Sequence, residues 1–236
     1  MPNQDTVQAR KPIIRLFRVH RHYGPKRALV DFSLDIFRQD FLFVTGPSGA
    51  GKTTLLKLLY LGEPVSEGQI LVGGMNLSRI PRKRIPLLRR QFGIIFQDYK
   101  LISTKSVFDN VALVLEAAGI KQRIITKRVA SVLRMVGLEG KETALPPSLS
   151  GGEQQRVAVA RAVIHHPEVI LADEPTASLD TEAASLVLQL LSKYHRRGGT
   201  VIVATHDADL IRQFGGRVAT LKEGHLLRVE HRTADR

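Results

Sequence analysis

The segment Gly46-Pro47-Ser48-Gly49-Ala50-Gly51-Lys52-Thr53 constrains the fold more than any other stretch of the chain. Its glycines and its closing Lys-Thr match the pattern G-x-x-x-x-G-K-[ST] in full. Such a loop needs a buried strand ahead of it to fix where it starts, and a helix behind it to aim backbone N–H groups into it. Both are legible: Phe41–Thr45 is a compact apolar run of strand type, and Leu55, Leu56, Leu58 and Leu59 recur at helical spacing after Lys52. The glycines let the backbone come close to an anion. The segment therefore reads as a phosphate-binding loop. Lys52 would neutralise the outer phosphates of a nucleoside triphosphate, Thr53 would offer one oxygen to Mg2+, and Thr54 would add a phosphate hydrogen bond.

Beyond the loop, short apolar runs at 92–96, 169–172 and 201–205 alternate with longer helical patterns, such as Leu186, Val187, Leu190 and Leu191 ahead of Gly198-Gly199. Strand, helix and strand in succession imply a parallel sheet. From 98 to 165 the strand pattern is lost, and runs such as Val129, Val132, Leu133 and Val136 read as helices. The 236 residues are expected to form one α/β unit, with a core over about 13–97 and 166–226, a helical subdomain inserted over about 98–165, and a polar tail over 227–236. No apolar run approaches the roughly 20 residues that span a bilayer, and residues 1–11 lack the apolar stretch of a secretory signal. A cytoplasmic location is expected.

Absence of cysteine excludes disulfides and thiolate metal sites. The formal net charge of +13 favours anionic partners. Its basic residues fall in short groups such as Arg82, Lys83 and Arg84, which read as a solvated surface or as one held close to an anionic membrane. Aromatic residues are 6% of the chain and do not alternate with the basic groups, so a base-stacking platform is disfavoured and no nucleic-acid partner is expected.

Val169-Ile170-Leu171-Ala172-Asp173-Glu174 is an apolar strand ending in two carboxylates. If it lies beside the phosphate-binding loop, Asp173 holds Mg2+ through its water shell, and Glu174 turns toward the γ-phosphate to orient or deprotonate the attacking water. An Asp-Glu pair that merely starts a loop gives the same pattern, and Pro175 fits a turn under either reading. His206 follows the run at 201–205, where one hydrogen bond could sense the γ-phosphate. Gln97 holds the matching place after 92–96, its amide oxygen able to complete the Mg2+ shell or touch the water. Either residue alone is as readily structural.

Leu149-Ser150-Gly151-Gly152-Glu153-Gln154-Gln155-Arg156 opens a further helix. Ser150 with Glu153 is a capping box, a purely structural device, whereas bare N–H groups at paired glycines form an anion site. A chain that already has one phosphate loop needs no second for the same nucleotide. With the loop, Gln97, the Leu-Ser-Gly-Gly-Glu segment, the strand ending in Asp173-Glu174, Ser178-Leu179-Asp180 and His206 all in order, the chain resembles the ABC ATPase family over roughly 13–226.

That resemblance implies a P-loop NTPase core with a parallel central sheet, an N-terminal antiparallel β subdomain and an inserted α-helical subdomain. It implies Mg2+-dependent ATP hydrolysis, with Lys52, Glu174 and His206 catalytic, Thr53, Gln97 and Asp173 at the metal, and the loop through Thr54 around the phosphates. It also implies a homodimer in the ATP-bound state, in which Ser150, Gly151 and Gly152 act on nucleotide held by the other subunit, and it puts Asp180 among the nucleotide-binding residues. Tyr23, in His22-Tyr23-Gly24, matches the aromatic position that stacks on adenine, and a core tyrosine would read alike.

Within the family, residues 88–98 and 107–112 look most like the cell-division ATPases. Those relatives, and the lipoprotein-release and macrolide exporters, usually read Gly-Asn-Leu-Asp where this chain has Ala177-Ser178-Leu179-Asp180. The likeness implies an integral membrane partner, a place on the cytoplasmic face of the membrane and control of cell-wall hydrolases. The ATPase of such an exporter is the alternative. A DNA-maintenance ATPase is disfavoured, because the chain has neither a long coiled-coil insertion nor cysteine zinc sites. Tyr99, Leu101 and Ile102, beside Gln97, are the expected docking point for the partner.

Overall fold

The computed structural model describes residues 11–233, so the reading of a signal-free N-terminus falls, apart from Lys11, outside the described residues. The chain opens with a long antiparallel hairpin of β1 (Pro12–Tyr23) and β2 (Lys26–Phe37). It then passes through β3 (Phe41–Thr45) and α1 (Lys52–Leu59) before β4 (Glu67–Val72) and β5 (Met75–Asn76) return to the hairpin. The resulting four-stranded antiparallel sheet has the order β2-β1-β4-β5.

The second sheet holds β3 with β6 (Phe92–Ile95), β7 (Val169–Asp173), β8 (Thr200–Ala204), β9 (Gly216–Lys222) and β10 (His225–Arg232), in the order β10-β9-β3-β8-β7-β6. All its pairings are parallel except β9 with β10. Its central strands are covered on both faces, and for that reason they read as unbroken apolar runs. Phe43, Ile170, Ala172, Val201 and Val203 pack into the core shared with the later helices. Leu42, Val44, Leu171, Ile202 and Ala204 pack the opposite way, with α1 and the antiparallel sheet.

Between β6 and β7 the described residues hold helices and no strand: α3 (Val107–Glu116), α4 (Gln122–Met135) and α5 (Gly151–Val163), with the short α2 (Ile85–Arg89) just ahead of β6. Ser106 and Asp109 form a capping box that starts α3, while Ile125, Val129, Val132 and Leu133 make the buried stripe of α4. The helices α6 (Thr181–Arg196) and α7 (Ala208–Phe214) complete the α/β alternation.

The polar tail expected over 227–236 is corrected by the structure, since it is a strand as far as Arg232. Glu223 and Gly224, with φ of 49° and 81°, form a two-residue loop in which both φ values are positive, the geometry that suits an antiparallel hairpin. Backbone pairing from His225↔Lys222 to Arg232↔Gly216 holds β10 at the sheet edge, and Leu227 and Val229 stay exposed. A strand held by its backbone at an edge needs no buried face, so its composition does not betray it.

The register places Val44 opposite Ala204, Asp173 opposite Ala204 and Ile95 opposite Ala172. The residues that follow β3, β6, β7 and β8 therefore converge on one edge of the sheet, the usual ligand edge of open α/β folds.

Candidate active site

At that edge the loop after β3 carries three glycines with positive φ: Gly46 at 147°, Gly49 at 78° and Gly51 at 108°. A Cβ on Gly46 would run into Leu221 O, and one on Gly51 would lie 2.5 Å from Ala28 O, so both positions exclude a side chain. Gly51 is also the N-cap of α1, whose first turn has no acidic residue. No capping side chain competes for the first-turn N–H groups, which are left for an anion. Lys52 Nζ donates to Gly46 O at 2.9 Å and Pro47 O at 3.4 Å, and lies 3.5 Å from Glu174 Oε1. At 8% exposure it is an almost buried cation, a strong attractor for a polyanion.

Across the sheet edge the backbone of Glu174 is left-handed, with φ of 45°, while its N–H still donates to Ala204 O at 2.8 Å. That conformation is costly for a residue with a Cβ and is found where the surroundings enforce it. Here it turns the side chain across the end of β8, where Oε1 meets His206 Nδ1 at 2.9 Å. Thr53 Oγ1 donates to Asp173 Oδ1 at 3.1 Å. Burial pushes the Asp173 carboxyl above the ordinary carboxylate range, and the Thr53 hydrogen bond opposes that shift.

Thr53 and Asp173 together offer hard oxygen donors at the loop mouth, a set that fits Mg2+. No group of three or more His, Cys, Asp or Glu among the described residues could hold a metal alone. A cation here would take most of its shell from water and phosphate, as Mg2+ does. The cavity, about 600 Å³, is lined by the loop from Pro47 to Thr54 together with Tyr23, Lys26, Gln97, Glu174 and His206. Tyr23 is 37% exposed, which disposes of a core role, and Arg21 lies over its ring at 4.4 Å.

Comparison with known proteins agrees with this geometry. The family described as ABC transporter matches residues 29–177. The chain is 41% identical over 221 residues to the cell division ATP-binding protein FtsE of Bacillus subtilis (strain 168), covering 93% of this chain and 97% of that protein. The FtsE of Escherichia coli (strain K12) is 44% identical over 215 residues, covering 91% and 97%. The chain belongs to the ABC transporter family. Among solved structures, the dimeric ABC transporter cassette MJ0796 superposes with a TM-score of 0.87 at 34% identity, over 94% of this chain and all of that one. Its post-hydrolysis dimer bound to ADP and Pi gives 0.86 at 33%, with the same coverage. As a member of this family the chain is an ATPase.

Not every residue expected in an ABC site reaches the cavity. Ser150, Gly151 and Gly152 begin α5 and are not among its lining. Ser150 Oγ accepts from Glu153 N at 3.2 Å, Glu153 Oε2 accepts from Ser150 N at 2.8 Å, and this backbone bond holds the Glu153 carboxyl below its usual range. A Cβ on Gly152 would come within 2.8 Å of the Ala183 Cβ, so that glycine also lets α5 approach α6 closely. Asp180 is outside the cavity too, as the N-cap of α6, accepting from Ala183 N at 2.8 Å.

Two polar residues escaped the sequence reading. Gln155, fully buried, donates to Pro175 O at 2.7 Å, just after the paired carboxylates. Arg161 donates to both Tyr99 O and Lys100 O at 2.6 Å, beyond Gln97. Both sit in the same short run as the Leu-Ser-Gly-Gly-Glu motif, where a polar residue on an apolar helix face was the available signal. Of the three residues expected to dock a partner, Tyr99 and Leu101 are half-buried. Leu101 packs against the helical core, whereas Ile102 is 37% exposed.

Proposed function

We propose that this ABC ATPase is the motor subunit of a division complex of the FtsE kind. It would sit at the cytoplasmic face of the cell membrane with an FtsX-like integral partner and control cell-wall hydrolases beyond the membrane. Support comes from identities above 40% to FtsE proteins along almost the whole length of both chains.

For the chemistry, the carrying observation is Glu174 Oε1 held between His206 and Lys52. Gly46, Pro47, Ser48, Gly49, Ala50, Gly51 and Thr54 supply the cradle for ATP, with Lys52 against the outer phosphates. Thr53, Asp173 and Gln97 would hold Mg2+, which when bound neutralises charge on the β- and γ-phosphate oxygens. Glu174 takes a proton from the attacking water as its oxygen bonds to the γ-phosphorus. The bond to the bridging oxygen breaks, and ADP leaves with the electron pair. His206 orients Glu174 and senses the γ-phosphate. Tyr23 stacks on adenine, a contact worth about 1–3 kcal/mol in comparable base-stacking sites. Ser150, Gly151, Gly152 and Asp180 close on nucleotide held by a second copy of the chain, giving a symmetric ATP-bound pair.

Capture of the tagged chain from detergent-solubilised membranes tests the division reading: an FtsX-like protein should accompany it, and an exporter permease in its place would overturn that reading. Ile102→Asp should abolish membrane association while ATP binding stays within about twofold of the parent, because Ile102 lies outside the cavity. Membrane association that survives Ile102→Asp would move the docking point elsewhere.

A further inference from the structure

A second cavity, about 710 Å³, is larger than the nucleotide cavity and lies at the opposite edge of the parallel sheet. Arg38 and Gln39 reach it from ahead of β3, Glu168 from ahead of β7, and Thr200 from the start of β8. Its other wall belongs to α4 and the C-terminal end of α5, so it lies between the inserted helices and the core. Its volume is within the range of about 300–1,000 Å³ typical of small-molecule sites.

The walls divide into two chemistries. Val132, Met135, Val163 and Tyr194 supply an apolar floor. The Tyr194 hydroxyl donates to Pro167 O, and its ring lies where a Cβ on Gly199 would overlap it, so the bare glycine makes room for that floor. Cations line the rim, and the single carboxylate of the lining, Glu168, is taken by Arg38 at 2.7 Å. Arg134 pairs with Glu139 at 3.1 Å. Among the described residues Arg128, Lys193 and Arg197 have no ion-pair partner, although all three line this one space. Like charges gathered at a partly apolar cavity repel one another unless an anion joins them.

We propose that this cavity binds a small amphiphilic anion, with a phosphate group held by Arg128, Lys193 and Arg197 and an apolar body laid on Val132, Met135 and Val163. Arginine can hold a phosphate group through two parallel N–H donors. The apolar floor selects a phosphate ester over the free ion. Such a ligand is either a soluble organic phosphate or the headgroup and upper chain of an anionic lipid, which present the same chemistry to the site.

Calorimetric titration of the full chain with octyl phosphate below its micelle concentration tests the proposal, with the nucleotide cavity filled by saturating Mg-ADP. One saturable site is expected, with inorganic phosphate binding about tenfold more weakly or worse. The combined substitution Arg128→Ala, Lys193→Ala and Arg197→Ala should weaken octyl phosphate by about tenfold or more. Ser131→Trp, which fills the cavity from its exposed wall, should do the same without removing a charge. Either variant should leave the basal ATPase rate within about twofold of the parent, since none of these residues lines the nucleotide cavity. Sedimentation with phosphatidylglycerol vesicles separates the sources. Vesicle binding lost in both variants assigns a lipid, and vesicle binding unchanged while octyl phosphate is lost assigns a soluble ester. Absence of saturable octyl phosphate binding, or binding that both variants retain in full, would overturn the proposal.

Discussion

Asp173 and Glu174 are adjacent carboxylates in different surroundings. Glu174 meets an ammonium and an imidazole, whereas Asp173 has the Thr53 hydroxyl and a burial cost that raises its pKa. A carboxyl whose folded pKa is raised binds its proton more tightly in the folded chain than in the unfolded one. Its contribution therefore favours the fold at low pH and is lost as pH rises through the raised value. Asp173→Asn, which keeps an acceptor for Thr53, should make the nucleotide-free chain melt higher at pH 7, with the gain shrinking as pH falls toward the carboxylate range. The same variant should lose Mg2+-dependent ATP turnover. Melting curves across that pH range check the first outcome, and a lower melting temperature for the Asn variant at pH 7 would refute it. Gly51→Ala places a Cβ against Ala28 O at φ of 108° and should cost about 1–3 kcal/mol while abolishing ATP binding, read by denaturant melts and nucleotide titration. The glycine pattern was legible because backbone approach to phosphate restricts residue type. The left-handed turn at Glu174 was not, since nothing in the residue type demands it.

Helix α5 ties three parts of the site together. Its N-terminus presents Ser150 to Gly152, Gln155 reaches the turn after Glu174, and Arg161 grips the backbone beyond Gln97, where Tyr99 and Lys100 have φ of 57° and 49°. Arg161→Ala would leave two carbonyls without this donor and should cost about 1–3 kcal/mol of stability. Arg161→Lys should recover little of it, because a point charge does not reproduce the two-pronged donor. Nucleotide binding should persist in Arg161→Ala while turnover falls, and a stopped-flow assay of both steps would separate them. Equal losses of binding and turnover would contradict a linking role. These bonds join segments about 60 residues apart, so no local pattern announces them. The antiparallel sheet was hidden for a related reason: β1 carries irregularities around Leu16 and Val19 and leaves Phe17 57% exposed, which breaks its alternation. Only the family resemblance implied that sheet. The central strands were legible because burial on both faces admits little but apolar residues.

Taken as a whole molecule, the chain carries a phosphate cradle with its carboxylates at one place and the Ser150 to Gly152 run that starts α5, capped through Ser150 and Glu153, at another. Two copies arranged head to tail would bring each run to the cradle of the other, so the motor would be complete only as a nucleotide-bridged pair. The net charge of +13 opposes self-association, and bound triphosphate offsets part of that repulsion. Glu174→Gln isolates the idea, because it would remove the proposed base while leaving the loop and Thr53 untouched and giving Lys52 a neutral amide in place of its carboxylate neighbour. Hydrolysis should slow by about 10² to 10⁴, or roughly 3–5 kcal/mol of barrier, with ATP still bound. Sedimentation velocity of Glu174→Gln is the decisive measurement, with the membrane partner added if the isolated chain is inactive. A dimer with Mg-ATP and a monomer with ADP is the expected result, and a monomer with both nucleotides alongside near-normal turnover would remove Glu174 as the base and the shared site with it.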